Sequence, residues 1–273
     1  MWDFTIRGAR GTVPACGAQY LRYGGNTTCF SLQSRNGLLV IDAGTGIANL
    51  GREIAKLDKL PQVTIFFTHF HLDHLIGLPS FEPVYNKEAT IALMADPHRA
   101  NNWKETLNTL MGKPYWPVGL GETDATMKLE DLPVKEGKLE CSGVKISWIN
   151  IPHPQQCLAY RLETPEAVVV VATDMEHNAH TIKPAFLDFC GNADFLICDA
   201  QYTPEEYPAH CGWGHSTWQA CTFIAREAKV KQLVLTHHAP TRTDDEVDMI
   251  IKAAQKVFPN TIGAAENMKL GKR

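Results

Sequence analysis

A chain of 273 residues with 44% hydrophobic content has enough apolar material to bury a sizeable core, and with no shift in composition, linker tract or repeat, residues 1–273 are expected to form one domain. Its formal charge is −4, from 26 basic and 30 acidic side chains; long nucleic acids are held through many Lys/Arg–phosphate contacts, and no basic stripe of that kind runs along this sequence. No apolar run approaches the roughly 20 residues that cross a bilayer, Met1–Arg7 lacks the pattern of a signal peptide, and the 8 cysteines are scattered without a CxxC pair, which predicts reduced thiols in a cytoplasmic protein.

Trp2–Gly8 alternates apolar and polar residues and predicts a half-buried strand. After a Gly-rich loop, Thr28–Gln33 and Leu38–Asp42 read as strands joined by the turn-forming Arg35-Asn36-Gly37. Gly44-Thr45-Gly46 breaks the chain before Ile47–Leu57, whose spacing is helical. Val63–Phe67 is a short buried strand running into a set of histidines. Ala89–Leu93 predicts a strand, Pro97–Leu110 a helix, and Met111 to about Gly137 an irregular segment holding Pro114, Tyr115, Trp116 and Pro117. In the second half, Val144–Ile151, Cys157–Leu162 and Ala167–Ala172 are expected strands. Phe195–Cys198 and Gln232–Leu235 follow as strands, with helices at Ser216–Lys229 and Glu246–Phe258. Two groups of strands, each followed by helices, fit an α/β fold of two sheets packed face to face with helices outside.

The strongest chemical signal is Thr68-His69-Phe70-His71-Leu72-Asp73-His74. Residues two apart in extended chain point the same way, so His69 and His71 can face one ion. Asp73 is then placed to cap a helix starting near His74, and these two can face a second ion. Imidazole nitrogens and carboxylate oxygens bind zinc at about 2.0–2.2 Å. Further candidates stand at the ends of apolar strands, where a sheet can hold them rigidly. They are His153 between Pro152 and Pro154, Asp174 after Val168–Ala172, and His237 with His238 after Leu233–Leu235.

An HxHxDH run, a later lone His, a later Asp and a final His, in that order, resemble the metallo-β-lactamase superfamily across most of the chain. The resemblance implies an αββα sandwich of two mixed sheets, with the site along one edge. It implies that His69, His71 and His153 hold one metal ion, that Asp73, His74 and His237 hold another, and that Asp174 bridges them. His237 is preferred to His238 because the family ligand follows a Thr, here Thr236. The set contains no cysteine, so thiolate softness selects no metal; two divalent ions are expected, zinc first, with manganese or iron as alternatives.

Fold alone does not settle chemistry in this superfamily. Gly214-His215-Ser216-Thr217, ahead of a helix that leads to Thr236-His237, resembles the His-Ser-Thr stretch of tRNase Z and related phosphodiesterases. In that branch this His contacts the phosphate and can donate a proton. Arg22–Cys29 resembles the loop before the second strand of the same branch, which makes Asn26 and Thr27 expected substrate contacts. The stretch around Asp174 lacks the pattern of glyoxalase II. Only about twenty residues, filled by two predicted strands, separate His153 from Asp174, too short a gap for the tRNA-binding arm of tRNase Z. Asp199–Glu206, the Gly-Trp-Gly-His ending at His215 and the loop around Asn26 look like bacterial and phage cyclic-nucleotide phosphodiesterases, including the anti-Pycsar enzymes.

The expected activity is therefore metal-dependent hydrolysis of small cyclic phosphodiesters, cyclic nucleotides first, by attack of a metal-bridging hydroxide. Asp73 would orient that hydroxide, and His215 would protonate the departing sugar oxygen, for which an imidazole is suited. Tyr202, Trp213, Trp116 and Tyr115 are candidate walls for a base. The alternatives are a tRNase Z-like endoribonuclease, a ribosyl cyclic phosphate phosphodiesterase, or a thioesterase or lactonase of the same fold. The expected partner is a small phosphodiester, with neither membrane nor long nucleic acid. Relatives in this branch are commonly homodimers, so a symmetric homodimer is expected, with Met111–Gly137 or the N-terminal loop near the partner's site.

Overall fold

The computed structural model describes residues 2–98, 102–134, 136–177 and 181–271. Two seven-stranded sheets form the body of the molecule. In chain order the first sheet takes β1 (Asp3–Gly8), β2 (Cys29–Gln33), β3 (Leu38–Ile41), β4 (Val63–Phe66), β5 (Thr90–Ala95) and β6 (Thr126–Asp131). The second takes β7 (Gly137–Cys141), β8 (Val144–Ile151), β9 (Cys157–Glu163), β10 (Val168–Ala172), β11 (Phe195–Asp199), β12 (Gln232–Thr236) and β13 (Thr261–Gly263). The short β14 (Lys269–Leu270) returns to the first sheet beside β1.

Strand alternation decides which layer each side chain serves. On β3, Leu39 and Ile41 enter the core between the sheets, while Leu38 and Val40 enter the core on the outer face. Central strands buried on both faces read as unbroken apolar runs, as Val168–Ala172 does. Between the sheets, Phe4, Ile6, Phe30 and Phe66 meet Trp148, Tyr160, Val171 and Ile197. Each such fully buried side chain contributes about 1.5–3 kcal/mol relative to exposure. Helices α1 (Ile47–Ile54) and α2 (Trp103–Leu110) cover the first sheet. Helices α3 (Pro184–Cys190), α4 (Trp218–Glu227) and α5 (Asp244–Gln255) cover the second. This is the αββα sandwich that the sequence implied.

β3 to β6 run parallel to one another, and so do β10 to β13. β8 shares the direction of β10, because each is antiparallel to β9. The carboxyl ends of these strands therefore collect along one edge, the place where open α/β sheets bind ligands.

Several elements differ from expectation, among them β6, β7, α2 and α3. Met111–Gly137 is not irregular throughout, since it contains β6. β6 and β7 are the outermost strands of their sheets, and Lys128, Glu130, Lys138 and Glu140 line them. Charges that protect a sheet edge also hide it from a search for apolar runs. The helix expected over Pro97–Leu110 starts at Trp103, where the Asn102 side chain caps it by accepting from Glu105 N; residues 99–101 of that span lie outside the described residues. Helix α3 carries Pro184 in its first turn and was not anticipated. Among the described residues no helix is long and apolar enough to cross a membrane.

Candidate metal centre

The site is built where strands leave the two sheets. β3 passes into Asp42, β10 through Thr173 into Asp174, and β12 into His237. These three residues have φ of 61°, 53° and 58°. A left-handed backbone is uncommon for residues other than glycine and persists where the surroundings over-determine it. The three turns carry polar side chains over the strand ends. β4 supplies His69, His71, Asp73 and His74 through Thr68 and a 3-10 turn at Leu72–His74. The expected capping role of Asp73 is not what the structure shows. The chain makes a single tight turn there rather than an α-helix, with His71 at its N-cap. Asp73 Oδ2 instead accepts from Thr12 N at 2.7 Å.

Among the described residues the donor atoms of the expected ligands form two groups that share Asp174, and a third group, Asp199, His215 and His237, adjoins them through His237. One comprises His69, His71, His153 and Asp174, the other Asp73, His74, Asp174 and His237, with donor atoms in each lying within 4.8 Å of one another. Asp174 lies 3.1 Å from His74 Nε2, 3.2 Å from His237 Nε2 and 3.8 Å from His69 Nε2. Asp73 Oδ2 is 3.3 Å from His237 Nε2, and His71 Nδ1 is 3.1 Å from His153 Nε2. His238 stands outside both groups, with Nε2 donating to the Ala264 carbonyl at 3.0 Å. Burial, opposed by that carbonyl and reinforced by Arg10, pushes its pKa down to about 3, so it stays neutral.

Most of these imidazoles are oriented from behind. His74 Nδ1 donates to Asp42 at 2.7 Å, His153 Nδ1 to the Gly214 carbonyl at 2.9 Å, and His237 Nδ1 to Gln201 Oε1 at 2.8 Å. His69 Nδ1 meets Thr68 Oγ1 at 3.0 Å, and that hydroxyl donates to Asp42 at 2.8 Å. A neutral imidazole that donates from Nδ1 carries its lone pair on Nε2. The buried Nε2 atoms of His69 and His74 face Asp174 at 3.8 and 3.1 Å but make no well-aligned hydrogen bond among the described residues. Lone pairs and carboxylates that converge at these distances require positive charge among them. Without metal, protons supply it: burial opposes a charge on His237, but Asp174 and Asp73 outweigh it and raise the pKa to about 10. Burial holds His69, His71 and His153 below the ordinary histidine value, leaving them neutral donors. An all-nitrogen-and-oxygen set of this kind fits divalent cations, whose binding would release the protons.

The model of the Beta-lactamase superfamily domain matches residues 38–238, which carry every one of these donors. The chain belongs to this superfamily. Ribonuclease Z from Archaeoglobus fulgidus is 24% identical to it over 325 aligned positions, covering 99% of this chain and 97% of the relative. Among solved structures, the metallo-beta-lactamase fold protein YhfI from Bacillus subtilis superposes with a TM-score of 0.75 at 21% identity, covering 98% of each chain. A diphosphatase from the PhnP family superposes with a TM-score of 0.73 at 18% identity, covering 100% of this chain and 98% of the other. At such identities the superpositions speak to the fold.

Beside the donor cluster, His215 packs against His237 with ring centroids 4.7 Å apart and lies 5.6 Å from His153. Its Nδ1 donates to the buried Asp199 at 2.7 Å. Tyr202 meets His215 edge-on at 6.0 Å and stacks on His210 at 4.4 Å. Trp213 stands edge-on to His210 at 5.0 Å and is 62% exposed. The other two expected substrate contacts are engaged within the protein. Asn26 donates from its backbone N and from Nδ2 to Glu266, and Thr27 Oγ1 accepts from Thr45 N at 2.9 Å in a buried position. Trp116 donates to the Tyr85 hydroxyl, and Tyr115 is exposed. Asp42 and Gln201, which aim His74 and His237, were not among the expected site residues. Asp42 carried the signal used for the ligands, an acid at the end of an apolar strand; Gln201 lay within the Asp199–Glu206 stretch of resemblance, but nothing there pointed to His237.

Proposed function

We propose that this chain is a metal-dependent phosphodiesterase acting on small cyclic phosphodiesters, cyclic nucleotides first. His69, His71 and His153 would hold one divalent ion, and Asp73, His74 and His237 a second, with Asp174 between them. Zinc is the first choice for an all-nitrogen-and-oxygen set of this shape, with manganese or iron as alternatives. The bound ions would supply a lowered pKa for water and positive charge opposite the phosphoryl oxygens. The protein's own groups do the rest. Asp73, at the edge of the donor cluster, orients the attacking water. Asp199 fixes the His215 ring through Nδ1 at 2.7 Å, which turns Nε2 away from that carboxylate. That nitrogen can hold a proton and deliver it to the departing sugar oxygen.

The single observation that carries this reading is the buried Asp199–His215 pair set against the donor cluster. A thioester or lactone substrate needs no such pair for a phosphate. A second reading, an endoribonuclease, is favoured by relatives named Ribonuclease Z. Two observations support the smaller substrate. The alignment with the Archaeoglobus relative runs to 325 positions against 273 residues here, so that relative carries segments this chain lacks. Between His153 and Asp174, β9 and β10 are joined by a tight turn in which Thr164 N donates to the Ala167 carbonyl at 3.0 Å, and no arm emerges. A homodimer belongs to the same proposal. Exposed Val13 and Leu72 sit on two segments tied together by the Thr12–Asp73 hydrogen bond, where a partner would cover them.

The aromatic series from His215 through Tyr202 and His210 to Trp213 gives a base somewhere to stack, and this is testable. Stacking on an aromatic side chain is worth about 1–3 kcal/mol per base. Trp213→Ala is expected to raise KM for a 3′,5′-cyclic nucleotide about 5- to 100-fold. KM for a ribose cyclic phosphate lacking a base should stay within about twofold, since no stacking is lost. Equal changes on the two substrates would count against a nucleotide.

A further inference from the structure

After Asp174, the chain continues through Met175 to Glu176, a carboxylate that belongs to neither donor group. Oε1 accepts from Gly212 N at 2.7 Å and from the Tyr207 hydroxyl at 2.8 Å, and Oε2 accepts from Gly214 N at 2.8 Å. One carboxylate thus gathers three donors from the eight-residue segment Tyr207–Gly214, which leads directly into His215. The two backbone donors flank Trp213. Gly212 and Gly214 have φ of 88° and 90°, and a Cβ on Gly214 would stand 2.2 Å from His153 Nδ1. That close approach lets the Gly214 carbonyl accept from His153. On its other side, Glu176 N donates to the Pro152 carbonyl at 2.8 Å, beside the same histidine. His177 N donates to Ser216 Oγ at 2.9 Å, the residue after His215.

From this geometry we infer that Glu176 is a positioning residue: its carboxylate holds Tyr207–Gly214 so that His215 and Trp213 address the substrate. Hydrogen bonds to a charged acceptor are about twice as strong as neutral ones. Without the carboxylate, two glycines with open backbone choices precede His215, and the ring loses its fixed approach to the leaving oxygen. Asp199 still tethers Nδ1, so the effect is one of placement and not of protonation. The inference rests on the proposed leaving-group role of His215.

The test uses the metal-loaded full chain in four forms: wild type, Glu176→Ala, His215→Ala and the double variant. kcat is measured on a 3′,5′-cyclic nucleotide and on a p-nitrophenyl phosphodiester, the ion content of each form is measured, and amide exchange is followed over residues 207–215. Glu176→Ala is expected to lower kcat on the nucleotide about ten- to a hundredfold and to affect the aryl ester far less. The double variant should be no slower than His215→Ala alone, because residues acting as one unit are non-additive. Exchange at Gly212 and Gly214 should quicken by about tenfold or more. Glu176→Gln keeps one acceptor oxygen but turns an amide N–H toward a backbone N–H, so it should fall between; it carries the same cycle where the alanine variant fails to fold. Losses that multiply in the double variant, equal losses on both substrates with ions released, or unchanged exchange would each overturn the inference. If wild type hydrolyses neither substrate, the phosphodiesterase reading fails, and the exchange experiment still decides whether Glu176 holds the segment.

Discussion

His215→Ala is expected to slow opening of a 3′,5′-cyclic nucleotide by about 10²–10⁴-fold, the range typical of general acid–base catalysis, while the bound metal and the fold are retained. The effect should depend on what departs. A cyclic nucleotide expels an alkoxide, which needs a proton as the P–O bond breaks. A p-nitrophenyl diester expels a weakly basic phenolate, which needs one much less. The variant should therefore be only mildly impaired on the aryl ester. The geometry behind this expectation is the 2.7 Å hydrogen bond from His215 Nδ1 to Asp199, which turns Nε2 away from that carboxylate. Steady-state rates on both substrates check it. Equal large losses with metal retained would mean that His215 binds the phosphate and does not deliver a proton.

Asp174→Asn should behave in the opposite way, striking both substrates alike. Asp174 is common to both donor groups and lies within 3.8 Å of His69, His74 and His237 nitrogens. The amide removes one negative charge and presents an N–H to imidazoles whose lone pairs face it. Removing one partner from a buried charged set costs about 3–5 kcal/mol, which as ion affinity would correspond to roughly 10²- to 4 × 10³-fold. Elemental analysis of protein purified without chelator should show both ions depleted, and turnover of nucleotide and aryl ester should fall by the same factor. Full retention of two ions would contradict the proposed place of Asp174 between them. His69→Ala, which touches one group only, should deplete one ion preferentially.

The cluster was legible because its logic is local. A period of two aligns His69 with His71, and apolar strands such as Val168–Ala172 and Gln232–Leu235 announce where the next polar residue will be held. What completes the site is not local. Asp42 stands 32 residues from the His74 it orients, and Gln201 stands 36 from His237. Such pairings arise only when β3, β4, β11 and β12 end at one edge. The left-handed backbone at Asp42, Asp174 and His237 was equally invisible, since it is imposed by packing against the preference of those residues. Asp73 failed as a cap for the same reason: Thr12 N competes for its carboxylate from a loop 61 residues away. In the fold, the apolar central strands were readable, and the charged edge strands β6 and β7 were not. The Arg22–Cys29 resemblance located a real loop, but Asn26 is tied to Glu266 and Thr27 to Thr45 there.

The most direct measurement is turnover by the full chain, stripped of metal and then reloaded with zinc or manganese. It should be assayed side by side on 3′,5′-cyclic mononucleotides, a ribose cyclic phosphate, a precursor tRNA and a thioester. The expected result is a nucleoside monophosphate as product from at least one cyclic nucleotide, in the reloaded protein only, with the precursor tRNA uncut. Cleavage of the tRNA with every cyclic nucleotide left intact would contradict it.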